Sequence, residues 1–149
     1  MMDFLVRFRV VEMDQILKDT DLLTTCRRLS HGYASSGMNR ALTLYQSMAD
    51  RGQSVDARGV FAKYGSQYIG WLLFTRLADD FYYTPKPNHA CAQIYVHESY
   101  RRKGVGTRLL KVAKKLTTPQ EKLVVYAHSN PEFFVPLMNQ ELCKSVYED

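Results

Sequence analysis

A run of fifteen residues, Arg101 to Lys115, does most to limit what this chain can be. It opens Arg101-Arg102-Lys103-Gly104-Val105-Gly106-Thr107 and holds seven basic side chains and no acidic one. The residues ahead of it, His89 to His97, have the character of a strand. From Val105 onward, Val105, Leu109, Leu110, Val112, Ala113 and Leu116 fall on one helical stripe. A strand, a glycine turn and a helix start in that order make a place for an anion. Glycine lets the backbone approach a ligand, and the first amides of a helix have no partner within it. The helix dipole adds favourable potential. Acidic residues usually occupy a helix's first turn, and none does here, so an external anion would complement that end. The bland alternative is a glycine turn before an amphipathic helix with a solvated lysine face.

The charge count sharpens the point. The chain of 149 residues has 20 basic and 15 acidic side chains, a net of +5. Setting Arg101 to Lys115 aside leaves 13 against 15, a net of −2. The basic excess is therefore local. Such a distribution disfavours a nucleic-acid binder, and no aromatic is interleaved after Tyr100 in the basic stretch. With 46% apolar and 23% charged residues, the chain should form one domain, 1–149, with a substantial core. No apolar run nears the roughly 18 to 20 residues that span a bilayer. The N-terminus alternates and has no small-residue cleavage site, so no secretory leader is expected. Cys26, Cys91 and Cys143 are odd in number and widely spaced. They fit neither a disulfide framework nor a zinc site, which points to inert thiols, a cytoplasmic setting and no metal.

Alternation predicts a strand over Phe4–Val11. Helical spacing follows from Ile16 to Leu29, broken near Asp19-Thr20-Asp21. A polar loop, His31 to Met38, leads to a second helix through Met48, capped by Ser36 or Asn39 and stopped at Gly52. Gly59–Tyr64 and Tyr68–Leu77 read as a hairpin about Gly65-Ser66. Strands over His89–His97 and Leu123–His128 flank the basic helix, and a short helix from Pro131 to about Asn139 precedes a short tail. The order implies a mixed α/β fold with an antiparallel front half and a parallel βαβ unit behind.

Two nucleotide motifs fail. A dinucleotide fingerprint needs a third glycine where Leu109 stands, and the Gly-Lys-Ser/Thr of a P-loop is absent. The stretch Ile94 to Leu110, with its strand end, short loop and Arg-x-x-Gly-x-Gly opening a helix, resembles instead the acetyl-CoA-binding motif of the GNAT superfamily of N-acetyltransferases. That resemblance implies a mostly antiparallel central sheet flanked by helices, with a βαβ acetyl-CoA site. It implies that Arg101 and the amides of Arg102, Lys103, Gly104, Val105, Gly106 and Thr107 wrap the coenzyme A pyrophosphate. Backbone groups of Ile94, Tyr95 and Val96 would pair with the pantetheine arm in a gap between the fourth and fifth strands. An amide from that strand end would polarise the thioester carbonyl. Asn130 matches a family asparagine that contacts the cofactor.

The chain also departs from the family. The general-acid tyrosine expected seven residues after the asparagine is Leu137, and neither strand beside the gap carries the glutamate many members use as base. His89, Tyr126 and His128 are the leading candidates for the proton work, with His97 and Tyr95 nearby. Ordered water is an alternative. Asp79 and Asp80 beside Tyr82 could hold a cationic amine by charge and cation–π contact. About ten residues follow the last helix, so the C-terminus is shortened and lacks the family's last two strands. An open acceptor groove, or one completed by a second subunit in a homodimer, would follow. The expected acceptor is an amine on a small molecule or a protein. The competing expectation is a GNAT-fold module that holds coenzyme A without turnover.

Overall fold

The computed structural model describes residues 5–30, 37–76 and 87–146, except the side chain of His128. The elements are β1 (Val6–Glu12), α1 (Met13–Lys18), α2 (Thr20–Leu29), α3 (Gly37–Asp50), β2 (Ala57–Tyr64), β3 (Gln67–Thr75), β4 (His89–Val96), α4 (Val105–Leu116), β5 (Lys122–Val125), α5 (Pro131–Asn139) and β6 (Lys144–Ser145). The strands form one sheet in sequence order, β1 to β6. The first three pairings are antiparallel and the last two parallel. The mixed sheet expected from the element order is thus observed.

Each helix buries the face its spacing predicts. Val105, Leu109, Leu110 and Ala113 of α4 pack with Phe134 and Leu137 of α5 on Val60, Leu72, Phe74, Ala90 and Ala92 of the sheet. On the opposite face, α1, α2 and α3 set Ile16, Leu22, Cys26, Leu42 and Tyr45 against Phe61, Trp71 and Leu73. The alternation of Leu72 and Phe74 with Trp71 and Leu73 gives β3 two buried faces, as a central strand requires. Two buried polar pairs tie the second layer down. Trp71 Nε1 donates to Ser30 Oγ at 2.8 Å, and Tyr45 Oη donates to Thr75 Oγ1 at 2.8 Å. Leaving either partner unmet would cost about 1–3 kcal/mol.

The helix break near Asp19 is real: its Oδ1 accepts from Leu22 N at 3.1 Å and caps α2. The Gly65-Ser66 hairpin also forms, with Gly65 at φ 61° and Tyr64 opposite Gln67. Asn39 is not a cap. It lies inside α3, and its Nδ2 donates to the Ser30 carbonyl at 3.4 Å. The fifth strand is shorter than alternation suggests. Tyr126 leaves the extended region, its carbonyl accepts from Ser129 N (3.0 Å) and Oγ (2.7 Å), and a 3₁₀ turn, Ala127–Ser129, replaces the strand end. The tail needs a correction as well. It holds a sixth strand: Val124 pairs with Lys144 and Val125 with Ser145, and Val146 N donates to Val125 O at 2.9 Å. Two residues are too few for periodicity to reveal.

Arg76, just past β3, binds Glu121, just ahead of β5, through Nε–Oε2 at 2.6 Å and Nη2–Oε1 at 2.8 Å. It also reaches Asp56 Oδ1 at 3.4 Å, and its guanidinium lies 5.1 Å from the Phe74 ring. The Arg76 hydrogen bonds hold the Glu121 carboxyl well below its ordinary range, at about 2. This clamp fixes one end of the β3–β4–β5 region.

Candidate functional site

β4 has two unlike halves. From Cys91 to Val96 it pairs with β3 throughout. With β5 it pairs only at His89–Lys122, Ala90–Leu123 and Cys91–Val124, and there the two strands part. The amide of His97 donates to Ile69 O at 2.8 Å. Antiparallel strands alternate, so Tyr95 is the next residue bonded to β3, while Ile94 and Val96 turn their amides and carbonyls to the other edge. Lys122 N, donating to Asn88 O at 2.8 Å, shows that this even-numbered edge is the one β5 uses. Beyond Cys91, β5 no longer covers it. The open edge leads directly to the basic loop.

The loop is built for close approach. Gly104 has φ 84° and no atom within 4 Å of where a β-carbon would sit, so its need for glycine is conformational. Arg102 also takes a left-handed φ of 62°. Gly106 is glycine for another reason: a β-carbon there would lie 3.0 Å from Phe133 Cζ of α5. The first intrahelical bond of α4 runs from Arg108 N to Gly104 O at 3.0 Å, which leaves the amides of Val105, Gly106 and Thr107 ahead of the ladder. No side chain caps that end, and its first turn has no acid. By contrast α2 and α5 are capped by Asp19 and Asn130 and carry Asp21 and Glu132 in their first turns. The α4 N-terminus is therefore a concentration of positive potential without an internal anion.

Side chains fix the loop's path. Arg101 Nε donates to Val96 O at 2.8 Å, and its guanidinium stacks 5.3 Å from the Tyr95 ring. Arg108 points away from the loop, 4.5 Å over the ring of Phe8 on β1. His97 Nδ1 accepts from Ser99 N at 3.2 Å and so holds a turn. Asn130 Oδ1 accepts from Phe133 N at 3.3 Å as the cap of α5.

The remaining candidates separate by position. His89 begins β4 at its closed end, opposite Lys122. Ala92 lies three residues further on, roughly 10 Å along a strand. Tyr126 follows β5 where the strands part, half-buried against Cys91 and Val124. His128 falls in the 3₁₀ turn next to it. Asp79, Asp80 and Tyr82 lie outside the described residues. Leu137, where the resemblance would put a tyrosine, is buried in the core beneath α4. The three cysteines are buried, and burial pushes the Cys26 thiol up to about 12, against a smaller opposing effect of Arg27. Among the described residues no group of His, Cys, Asp and Glu is placed to hold a metal ion. None of the described helices is long and apolar enough to cross a membrane.

One residue of this region was not singled out by its sequence. Gln93 lies between Cys91 and Tyr95 on the open half of β4, and its Oε1 comes within 2.7 Å of where a β-carbon on Gly37 would sit. Glycine at the start of α3 makes room for that side chain. The period of two from Tyr95 was the available signal.

The family model for "Acetyltransferase (GNAT) family" matches residues 24–131, a span that holds the open strand edge, the glycine loop and α4. The chain belongs to the GNAT acetyltransferase family. No curated protein resembles it closely enough to count as a match. Solved structures with the GNAT fold do. A ribosomal-protein-alanine N-acetyltransferase from Brucella melitensis biovar Abortus 2308 is 21% identical, with 91% of this chain and 89% of that one covered and a TM-score of 0.56. An aminoglycoside acetyltransferase from an uncultured soil metagenomic sample, in complex with sisomicin, is 15% identical over 95% and 90% of the two chains, at 0.61. An aminoglycoside N-acetyltransferase in complex with CoA is also 15% identical, over 96% and 92%, at 0.57. At these identities the likeness is one of GNAT fold.

Proposed function

We propose that the chain is an acetyl-CoA-dependent N-acetyltransferase acting on a primary amine of a small molecule or a protein, in a cytoplasmic setting and as one domain over 1–149. The observation that carries this reading is the parting of β4 and β5 beside an uncapped, acid-free helix start. The residues present fit coenzyme A. Gly104 to Thr107 offer backbone amides to a diphosphate, with Arg101, Arg102 and Lys103 around it. The open edge of Ile94 and Val96 offers strand-like partners to an amide-containing arm. Arg101 already holds the Val96 carbonyl, which leaves the Ile94 groups and the Val96 amide as the partners on offer. The CoA complex of a GNAT-fold neighbour is consistent with that use.

Acetyl-CoA supplies an acetyl group already activated as a thioester. The protein's part is to place a neutral amine against it and to move one proton. An amide on the open edge, Ile94 or Val96, polarises the carbonyl oxygen. Holding both reactants in the gap contributes through orientation. Tyr126, where the strands part, is better placed than His89 to donate a proton to the departing sulfur, with His128 one turn on. Asn130 joins the cofactor through whatever its cap leaves available. The acidic Asp79-Asp80 pair beside Tyr82 serves a cationic acceptor. Aminoglycosides and a ribosomal-protein alanine, the acceptors named for the neighbours, are the first classes to try.

Leu137 favours the second reading, a coenzyme A-holding module without turnover, because its place in the core leaves no acid on α5 at that position. Two measurements decide. Calorimetry should show acetyl-CoA binding, and a total lack of affinity would remove both readings. A thiol-release assay over polyamines, amino acids, aminoglycosides and lysine peptides should then show turnover with at least one class. Firm binding with silence across the panel would establish the module.

A further inference from the structure

The far end of α4 carries a second positive cluster. A cavity of about 340 Å³ opens between the last turn of α4, the start of β5 and the start of β6. Three elements each bring a lysine to it: Lys114, Lys122 and Lys144. Leu123 and Cys143 beneath it are almost fully buried, so its accessible apolar wall is the half-buried Met138 at the end of α5. None of the three lysines belongs to an ion pair among the described residues. Two of the last carbonyls of α4 have other partners. Lys114 O accepts from Thr117 N at 3.2 Å and from Thr117 Oγ1 at 2.6 Å, and Leu116 O accepts from Arg76 Nη2 at 3.4 Å.

One carboxylate stands at the lip. Glu141 follows α5 with φ 62°, in the left-handed position that glycine usually fills after a helix. The bonds of that cap are made: Leu142 N to Leu137 O at 3.0 Å and Glu141 N to Met138 O at 2.9 Å. A side chain enters this conformation at a cost, so the presence of a carboxylate there is a feature to account for. Against three ammonium groups it leaves two positive charges uncompensated. Lys114 stands nine residues after Val105, roughly 13 Å along the helix axis, so this is not the diphosphate end of α4.

We propose that this cavity is a separate site for a small phosphate monoester: a dianionic head set among the three ammonium groups, and a compact apolar body against Met138. The charge matches the two uncompensated cations, and Met138 favours a ligand that is more than inorganic phosphate.

The test is a titration of the whole protein with phenyl phosphate at constant ionic strength, followed by amide chemical shifts, with and without coenzyme A. The expected result is saturable shifts at Leu123 and Cys143 that persist with coenzyme A present. Affinity should exceed that for inorganic phosphate or benzoate at least fivefold. In Lys122→Gln/Lys144→Gln, which removes one exposed and one half-buried ammonium group and breaks no ion pair among the described residues, affinity should fall at least tenfold while the rest of the spectrum stays in place. Lys114→Gln alone should show a smaller loss. Shifts that never saturate would mean a solvated lysine face. Unchanged affinity in the double variant, or no preference over inorganic phosphate and benzoate, would equally overturn the proposal. The readout is resolved by residue, so it stands or falls independently of whether coenzyme A binds.

Discussion

The two halves of β4 share one strand but are held in different ways. At the closed half, His89 to Cys91, β5 lies along one edge throughout and β3 reaches Cys91 on the other, and the Arg76–Glu121 clamp holds the start of β5 in place. At the open half, Ala92 to Val96, one edge is paired with β3 and the other is left without β5. The closed half spends its backbone groups on structure. The open half leaves one edge uncovered by β5, and the loop after it leaves helix amides ahead of the ladder. A family that binds a long, amide-bearing cofactor needs both: a clamped end to define the gap, and an unclamped end to receive the guest.

Substitutions can break this contrast. The largest effect is expected at the open end. Gly106→Val drives a side chain into Phe133, 3.0 Å from the β-carbon position, and displaces the α4 start from α5. Acetyl-CoA affinity should fall at least about 100-fold, roughly 2.7 kcal/mol, while a thermal melt still shows a cooperative transition. Gly104→Ala, with open space around it but a φ of 84°, should weaken binding less.

Next comes the closed end. Glu121→Gln should lower stability by about 2 kcal/mol in denaturant unfolding, with the acetyl-CoA dissociation constant changed less than about twofold. The pH dependence follows from the same pair. The Glu121 carboxyl is held down at about 2, so its contribution is fully present above the ordinary value of 4.5. It is lost as pH falls from there through about 2. Unfolding free energies at pH 6 and pH 3 should differ more for the parent than for Glu121→Gln; equal differences would show that the clamp is not the acid-sensitive element.

Smaller effects sharpen the boundary between the halves. Tyr126→Phe should lower kcat about tenfold with KM for acetyl-CoA little changed. His89→Ala, roughly 10 Å back along the strand, should change kcat less than about twofold. The reverse ranking in steady-state rates would move the proton chemistry to the closed end.

The parts of the molecule legible in its sequence are those written in periodicity or in glycine. Alternation placed β2, β3 and β4 within a few residues, and the α4 stripe matched its buried residues Val105, Leu109, Leu110 and Ala113. The glycine loop was legible because a left-handed φ at Gly104 and close packing at Gly106 both exclude other residues. What escaped has no period. β6 is two residues long, and the end of β5 is turned by local hydrogen bonds to the Tyr126 carbonyl that compete with alternation. Asn39 looked like a cap because its residue type favours caps, but α3 already starts at Gly37 and the Asn39 side chain bonds to the Ser30 carbonyl instead. The place where β4 and β5 part, on which the proposed preference for Tyr126 over His89 rests, is a property of register that neither strand carries alone.

The chain has one tryptophan. Trp71 is fully buried on β3, opposite Tyr95 of the open half of β4, and its indole N–H is bonded to Ser30 at the end of α2. Its emission is therefore a built-in optical gauge of the layer beneath the gap: blue-shifted while the indole stays dry, red-shifted if Ser30 lets go and water enters. A ligand titration needs no added label, and Ser30→Ala gives the zero point against which the signal can be read.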